Sequence, residues 1–120
     1  MKIAIPVDEG NIDSAVCVSF GRTPFFLLYD TESGEAVFIE NAAAEAQGGA
    51  GIKAAQTVVD AGANALLTVR CGQNAAEVLN AAQIGIFKTV GSGAWENLAA
   101  FKAGKLSPMT EFHAGFHGKQ

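Results

Sequence analysis

The fold is decided by residues 52–77, whose sequence is IKAAQTVVDAGANALLTVRCGQNAAE. Apolar residues recur at helical spacing from Ile52 to Val59, which predicts a helix with that stripe against a core. The apolar run Ala65–Val69 that follows is short and predicts a buried strand. Asn74 and Glu77 stand three residues apart and predict a capping box, with Asn74 as the N-cap of a second helix. A helix, a buried strand and another helix in succession indicate an α/β protein.

Three further strands are predicted before this stretch. Alternating apolar residues from Ile3 to Val7 indicate the first strand. Phe25–Tyr29 and Ala36–Glu40 indicate two more, and the turn around Gly34 between them predicts a hairpin. An antiparallel unit is therefore expected ahead of the strand–helix crossovers.

A fifth strand and a third helix complete the pattern. Ile84–Val90 predicts the strand, and the apolar stripe within Ala94–Phe101 predicts the helix. The element order is thus βββαβαβα, which indicates a five-stranded mixed sheet with helices on both faces. We expect one domain over residues 1–106 and a flexible C-terminal tail over residues 107–120.

The composition restricts the possible functions. The 120-residue chain has a net charge of −4, with 49% apolar and 17% charged residues. A chain this apolar is not a disordered segment, and its 8 Lys and Arg residues are too few and scattered for a nucleic-acid binder. No apolar run approaches the roughly 20 residues of a membrane span, and the N-terminal residues predict a strand rather than a signal peptide. Two cysteines without an export signal indicate free thiols, so we expect a cytoplasmic protein.

Both cysteines fall in loops at the predicted carboxyl ends of strands, where ligands of parallel sheets usually bind. Cys71 directly precedes a helix, and the positive end of that helix, together with Arg70, is expected to favour the thiolate. The alternative is that Cys71 is a small buried residue that fills a tight turn. Cys17 has no helix beside it, so its role depends on whether its long loop folds back toward Cys71.

Two glycine-rich segments are candidates for binding an anion through backbone N–H groups. Gly48–Gly51 precedes the first helix and Gly91–Gly93 precedes the third. Neither is a Walker motif or a dinucleotide fingerprint, because the Lys-Ser/Thr pair and the three-glycine spacing are missing. A flexible lead-in to a helix is the alternative for both segments.

His113 and His117 are four residues apart near the C-terminus, which on a helix would place both imidazoles on one face as a metal-binding pair. The glycines around them and the absence of capping signals argue against a stable helix. The two alternatives are a frayed tail and a mobile flap whose imidazoles close over a ligand.

Several short motifs occur in a recognisable order. They are MKIAIPVD at residues 1–8, FGR at 20–22, GAGI at 49–52 and GQNA at 72–75. Together they resemble the dinitrogenase iron–molybdenum cofactor biosynthesis family, over nearly the whole of the predicted domain. The resemblance implies a ribonuclease H-like fold. It also implies a small accessory protein that carries iron–molybdenum cofactor or its precursors, rather than an enzyme.

Two positions depart from the family pattern. Ser19 stands where the family commonly has a histidine before Phe-Gly-Arg, and a hydroxyl is a poor ligand for a metal–sulfur cluster. Cys71, before Gly-x-Asn-Ala, is a better soft ligand. One hypothesis drawn from these departures is that thiolates replace the imidazole, with Arg22, Arg70 and helix N-termini offsetting the negative charge of the cluster. The implied metal ligands are Cys17, Cys71, His113 and His117. The implied cofactor-binding residues are Arg22, Gly49, Gly51, Arg70, Gly72, Asn74, Ser92 and Gly93.

We expect a non-catalytic protein that binds, carries or helps assemble an iron–sulfur or iron–molybdenum type cluster. A cofactor-donor or cofactor-acceptor protein is an expected partner, and the chain is expected to be a monomer or a weak homo-oligomer without nucleic-acid or membrane partners. One alternative is a module that senses a small anion or docks on a protein. Another is a metal-dependent nuclease or phosphoryl-transfer enzyme, for which only Asp8 is well placed at a strand end.

Overall fold

The computed structural model describes residues 1–113, which form one sheet with helices packed on it. Its strands are β1 (Lys2–Val7), β2 (Phe25–Asp30), β3 (Ala36–Glu40), β4 (Ala65–Thr68) and β5 (Gly85–Lys88). Its α-helices are α1 (Ala50–Asp60), α2 (Gln73–Ala81) and α3 (Ala94–Lys102), and a 3-10 helix (Ala42–Glu45) lies between β3 and α1. No helix in this part of the chain is long and apolar enough to span a membrane.

The sheet is mixed, with the strands in the order β3-β2-β1-β4-β5. β2 pairs antiparallel with both β1 and β3. β4 pairs parallel with both β1 and β5, so the carboxyl ends of these three strands meet at one edge of the sheet. The predicted α/β class with a five-stranded mixed sheet is confirmed.

The helices cover both faces of the sheet because each strand alternates its side chains between two apolar cores. Ala4 and Leu66 belong to the core that α1 and α2 cover. Ile5 and Leu67 belong to the other core, where they pack with Leu98 of α3. Neighbouring residues of one strand thus serve separate cores, which explains why β1 and β4 are apolar throughout rather than alternately apolar and polar.

The buried stripe of α1 differs from the predicted one at Ile52. Ile52, which was expected in the core, is 45% exposed, whereas Ala54, Ala55 and Val58 are buried. This face packs against α2, and small side chains let two helix backbones approach closely. Ala55 and Val58 of the predicted stripe are buried and Val59 packs partly against the core, so the prediction is wrong at Ile52, where alanine forms the contact instead.

α2 begins at Gln73 with Gly72 as its N-cap, so the capping box predicted from Asn74 and Glu77 is wrong. The first N–H group of the helix, on Gln73, donates to the carbonyl oxygen of His113 at 2.9 Å. A backbone group from far along the chain therefore takes the role that a side-chain cap was expected to fill.

The residues after α3 return along the edge of the sheet. Hydrogen bonds of 3.0 and 2.8 Å join the backbones of Ser107 and Met109 to β5. Residues 107–113, called the strap below, continue from there to the loop between β4 and α2. The predicted tail is thus hydrogen-bonded to the domain as far as it is described, and residues 114–120 lie outside the described part. The domain boundary at residue 106 stays a prediction.

Candidate functional site

Both cysteines lie at the carboxyl edge of the sheet, in loops that follow parallel strands. The backbone N–H of Cys17 donates to the carbonyl of Pro6, near the end of β1, at 2.8 Å. Cys71 lies in the loop that leads from β4 to α2. A hydrogen bond of 2.7 Å from Val16 to the carbonyl of Ser92 joins the loop after β1 to the loop after β5. Loops from all three parallel strands therefore border this edge.

Cys71 is only 1% exposed and contacts the core under α1 and α2. Burial raises the pKa of its thiol to about 11. The prediction that the helix start and Arg70 favour the thiolate is therefore wrong, because the loss of water around the sulfur outweighs the positive charge nearby. The thiol is neutral near pH 7 and lies 3.6 Å from the carbonyl oxygen of Gly72.

The strap holds the Cys71 loop by two main-chain hydrogen bonds that flank Gly72. His113 donates its N–H to the carbonyl of Cys71 at 3.3 Å and accepts the N–H of Gln73 at 2.9 Å. The imidazole of His113 lies over Gly72, where an added Cβ would come within 3.2 Å of ring carbon Cε1. Gly72 has a φ of −73°, which any residue adopts, so the nearby ring and not the backbone conformation favours glycine here.

A pocket of about 440 Å³ lies between the strap and the ends of β4 and β5. Arg70 and Lys88 bring two positive charges to its wall, and Glu111 of the strap brings one negative charge. The thiol of Cys71 and the imidazole of His113 supply atoms that bind soft metals. The complete lining comes from three segments, Val69–Cys71, Lys88 and Ser107–His113.

Cys17 is half-buried in the long loop that follows β1. Burial raises the pKa of its thiol, hydrogen bonds from Ser19 and Thr23 oppose that rise, and the carboxylate of Asp8 adds to it. The second thiol is therefore also a weaker acid than a free cysteine. Neither cysteine has the electropositive, solvent-exposed surroundings of a reactive thiolate.

The predicted metal ligands do not form a common site within residues 1–113. No three or more His, Cys, Asp or Glu side chains in that part of the chain are grouped closely enough to hold one metal ion, so Cys17, Cys71 and His113 are not such a group. Of the three, Cys71 and His113 line the same pocket. His117, the fourth predicted ligand, lies outside the described residues, and the ligand set stays a prediction.

The sequence of residues 1–104 matches the profile of the family described as dinitrogenase iron-molybdenum cofactor. The chain belongs to this family. The match extends from β1 through α3, and it confirms the family that the order of the short motifs predicted. Among proteins with curated descriptions, none matches the chain.

Solved structures agree with the family assignment. The apo form of the orange protein from Desulfovibrio gigas is 30% identical, with a TM-score of 0.85 over 91% of this chain and 96% of that one. A candidate NifB protein from Thermotoga is 36% identical, with a TM-score of 0.81 over 92% of this chain and 95% of that one. A candidate dinitrogenase from Methanocaldococcus jannaschii is 19% identical, with a TM-score of 0.70 over 92% of this chain and 96% of that one, and shares the fold.

The Phe-Gly-Arg motif that led to the family has a structural role in this chain. Nη1 of Arg22 donates to the carbonyl oxygens of Ala44 and Ala46 at 3.0 and 2.9 Å. The backbone N–H of Arg22 donates to the hydroxyl of Ser19 at 3.0 Å. These bonds fasten the 3-10 helix and the segment after it to the loop after β1. Arg22 does not line the pocket, so its predicted role beside a cluster has no support in this geometry.

The Gly-Ala-Gly motif of the family likewise serves packing. Gly49 is the N-cap of α1 and has a φ of 69°, in the left-handed region that glycine favours. A Cβ added at Gly21 would lie 3.0 Å from the backbone nitrogen of Gly51, so the two glycines permit the close approach of two backbones. The two glycines thus allow the loop after β1 to pack directly on the start of α1.

The predicted anion-binding segment before α3 is occupied by side chains of its own helix. Glu96 accepts the N–H of Gly93 at 3.3 Å, and Asn97 accepts the N–H of Val90 at 2.7 Å. A carboxylate beside these amides repels a further negative charge. This arrangement argues against Ser92 and Gly93 as an anion site, whereas Arg70 lines the pocket and Gly72 lies next to its Cys71.

Sequence reasoning missed Lys88 and Glu111, which line the pocket. Lys88 is the last residue of β5 and is paired with Thr68, two residues before Arg70. A basic residue at the carboxyl end of each of two parallel strands was the available signal, because such strands end at the same edge. No sequence pattern indicated that Glu111 would line the pocket, because the docking of the strap cannot be predicted from local sequence.

Proposed function

We propose that this protein binds and carries an iron–sulfur or iron–molybdenum type cluster at the pocket beside the strap, without catalysing a reaction. The single observation that supports this function is the composition of the pocket wall. Arg70 and Lys88 supply positive charge, and Cys71 and His113 supply a thiol and an imidazole, around a space of about 440 Å³. Family membership supports an association with iron–molybdenum cofactor.

This combination suits the chemistry of metal–sulfur clusters. Such clusters are held by thiolates, and positive charges nearby balance the negative charge of the cluster. Cys71 is protonated in the cluster-free protein because burial raises its pKa to about 11. Ligation by its sulfur must therefore release a proton, so loading is expected to strengthen as the pH rises. Cys17 and His117 remain proposed additional ligands.

The accessory role includes several finer proposals. We propose a cytoplasmic protein that exchanges its cluster with a donor or acceptor protein, on a fold of the ribonuclease H type. An accessory role is favoured over metal-dependent nuclease chemistry, because residues 1–113 hold no cluster of carboxylates that would converge on a divalent ion. Asp8 alone does not provide such a site.

Anaerobic reconstitution with iron and sulfide tests the function. The expected result is a coloured protein with thiolate-to-metal charge-transfer absorption and a fixed metal content by elemental analysis. Cys71→Ser is expected to lower the metal content, and Arg70→Gln is expected to weaken cluster binding. Lys105→Gln is the matched control, because Lys105 is exposed and outside the pocket lining. A colourless, metal-free protein after reconstitution would contradict the proposal, as would equal loading of Cys71→Ser and the parent.

A second candidate is the binding of a small inorganic anion at the same pocket. The observation that favours it is the pair of cations, Arg70 and Lys88, at the ends of adjacent strands. Thermal shift with phosphate, molybdate and tungstate measures it. A shift that depends on Arg70 but not on Cys71 would favour simple anion binding over cluster binding.

A further inference from the structure

The strap forms much of the wall of the pocket that Cys71 also lines. The pocket is lined by the strap from Ser107 to His113, and Cys71 is only 1% exposed. A sulfur atom with so little exposure makes no bond to a metal cluster that arrives from solvent. Ligation by Cys71 therefore requires the strap or the Cys71 loop to move.

The two ends of the strap are attached differently. At its start, Pro108 bridges Phe87 and the N–H of Met109 donates to Ile86 at 2.8 Å, which continues the sheet beyond β5. At its far end, His113 is joined to the Cys71 loop by main-chain bonds of 3.3 and 2.9 Å. A segment that docks at the edge of a domain opens at a lower free energy than the core.

The residues between these two attachments favour opening when an anion binds. Thr110 and Glu111 are exposed, and only Phe112 packs partly against the core. Glu111 lines the pocket together with Arg70 and Lys88, so it adds negative charge to the space in which an anionic cluster would bind. Like charges repel, and closure of the strap and binding of an anionic cluster therefore oppose each other.

We propose that the strap is a gate for the cluster site. It closes over Cys71 in the cluster-free protein, and its main-chain bonds to the Cys71 loop open when an anionic metal–sulfur cluster binds, while the imidazole of His113 stays at the cluster site. Opening exposes the thiol, removes the carboxylate of Glu111 from the pocket and frees the N–H of Gln73 at the start of α2. This inference rests on the proposed function for its ligand, but the closed state is tested without any cluster.

The first experiment measures alkylation of each cysteine by iodoacetamide in the cluster-free protein, with mass spectrometry of the labelled peptides. A chain ending at Leu106 lacks the strap, and Gly72→Val keeps the strap but places a side chain against the ring of His113. Cys71 is expected to react at least tenfold faster in both variants than in the full chain. A chain ending at His113 is the matched control and is expected to react like the full chain, and Cys17 is the internal control in every sample.

Gly72→Val decides the outcome if the chain ending at Leu106 does not melt cooperatively. Rates at Cys71 equal to those of the full chain, in a folded variant, would overturn the gate. A rise at Cys17 as large as that at Cys71 would also overturn it, because general loosening and not release of the strap would then explain the labelling.

The second experiment follows reconstitution with iron and sulfide in the same chains. Glu111→Gln is expected to load at several-fold lower metal concentration than Glu35→Gln, a control at the far β2–β3 turn. Equal loading of these two substitutions would overturn the competition between Glu111 and the cluster. No loading in any chain, with accelerated labelling of Cys71, would contradict the proposed function and leave the gate standing. Normal cluster loading together with an unchanged rate of Cys71 alkylation would overturn the gate but not the proposed function.

Discussion

The two cysteine loops lie at the same edge of the sheet but are held in different ways. The Cys17 loop, residues 8–24, is fixed by main-chain bonds to several neighbouring segments and by side chains such as Asn41, which donates to the carbonyls of Gly21 and Thr23. The Cys71 loop, residues 69–72, is held by main-chain bonds from the strap. Only the second loop borders the charged pocket. The first is part of the framework, and the second depends on a segment that joins it from the end of the chain.

The largest expected change in stability comes from a substitution that tests how tightly the Cys17 loop is packed. Gly21→Ala would place a Cβ 3.0 Å from the nitrogen and 3.1 Å from the Cα of Gly51. These are backbone atoms that cannot move aside as a side chain does, so the free energy of unfolding is expected to fall by about 2–3 kcal/mol in urea titrations. Gly48→Ala is the matched control, since no atom lies within 4 Å of its added Cβ. Similar losses in both variants would show that the loop is not tightly packed.

The next effect concerns the thiol of the Cys71 loop. Burial raises its pKa from 9.0 to about 11, so the folded protein keeps a proton that the unfolded chain loses. The stability due to this thiol is therefore fully present below about pH 9 and is lost as the pH rises towards 11, by on the order of 2 kcal/mol. We expect the stability advantage of the parent over Cys71→Ala to decrease across this range in denaturant titrations at each pH.

Cys17→Ala is the control for this pH dependence. Burial also raises the pKa of Cys17, but its side chain is half-exposed, so the advantage over this variant is expected to change less. Other groups that titrate in the same range contribute equally to the parent and the variant. Their effect on the difference in free energy of unfolding therefore cancels at each pH. A pH-independent difference for Cys71→Ala would mean that the thiol is hydrated in the folded protein.

The smallest effects are expected from substitution of one arginine in each loop, Arg22 in the Cys17 loop and Arg70 in the Cys71 loop. Arg22→Gln removes the bonds to Ala44 and Ala46, and it is expected to lower the free energy of unfolding by about 1 kcal/mol or less, because Arg22 is exposed. Its metal content after reconstitution is expected to be unchanged. Arg70→Gln is expected to behave in the opposite way, with stability within about 0.5 kcal/mol of the parent and weaker cluster binding. Weak cluster binding in Arg22→Gln would indicate that the cluster binds near the Cys17 loop and not at the Cys71 loop.

The strands and helices could be predicted because their signals are local. The apolar run at β4 and the hairpin of β2 and β3 stand out in the sequence, and the order of short motifs was enough to indicate the family. The same motifs did not reveal what their residues contact. Arg22 and Gly51 were expected beside a ligand, yet they bind and pack against parts of the fold that only the tertiary structure brings together.

The errors at the site share one physical cause, which is the docking of the strap. A cysteine before a helix suggests a thiolate when its surroundings are unknown, but tertiary burial reversed the direction of the pKa shift at Cys71. Asn74 suggested a local cap, but the carbonyl of His113 takes that role. Short-range patterns contain no information about a contact between the last described residues and the middle of the chain.

The hydrogen bond between Gln73 and His113 also sets an order of events during synthesis of the chain. A ribosome makes α2 well before it makes the strap, so the N–H of Gln73 has no His113 carbonyl to bind until late in synthesis. The first turn of α2 and the pocket therefore stay incomplete until His113 has been added and has docked. Proteolytic trimming from the C-terminus would reverse this order, removing the pocket before it disturbs the sheet.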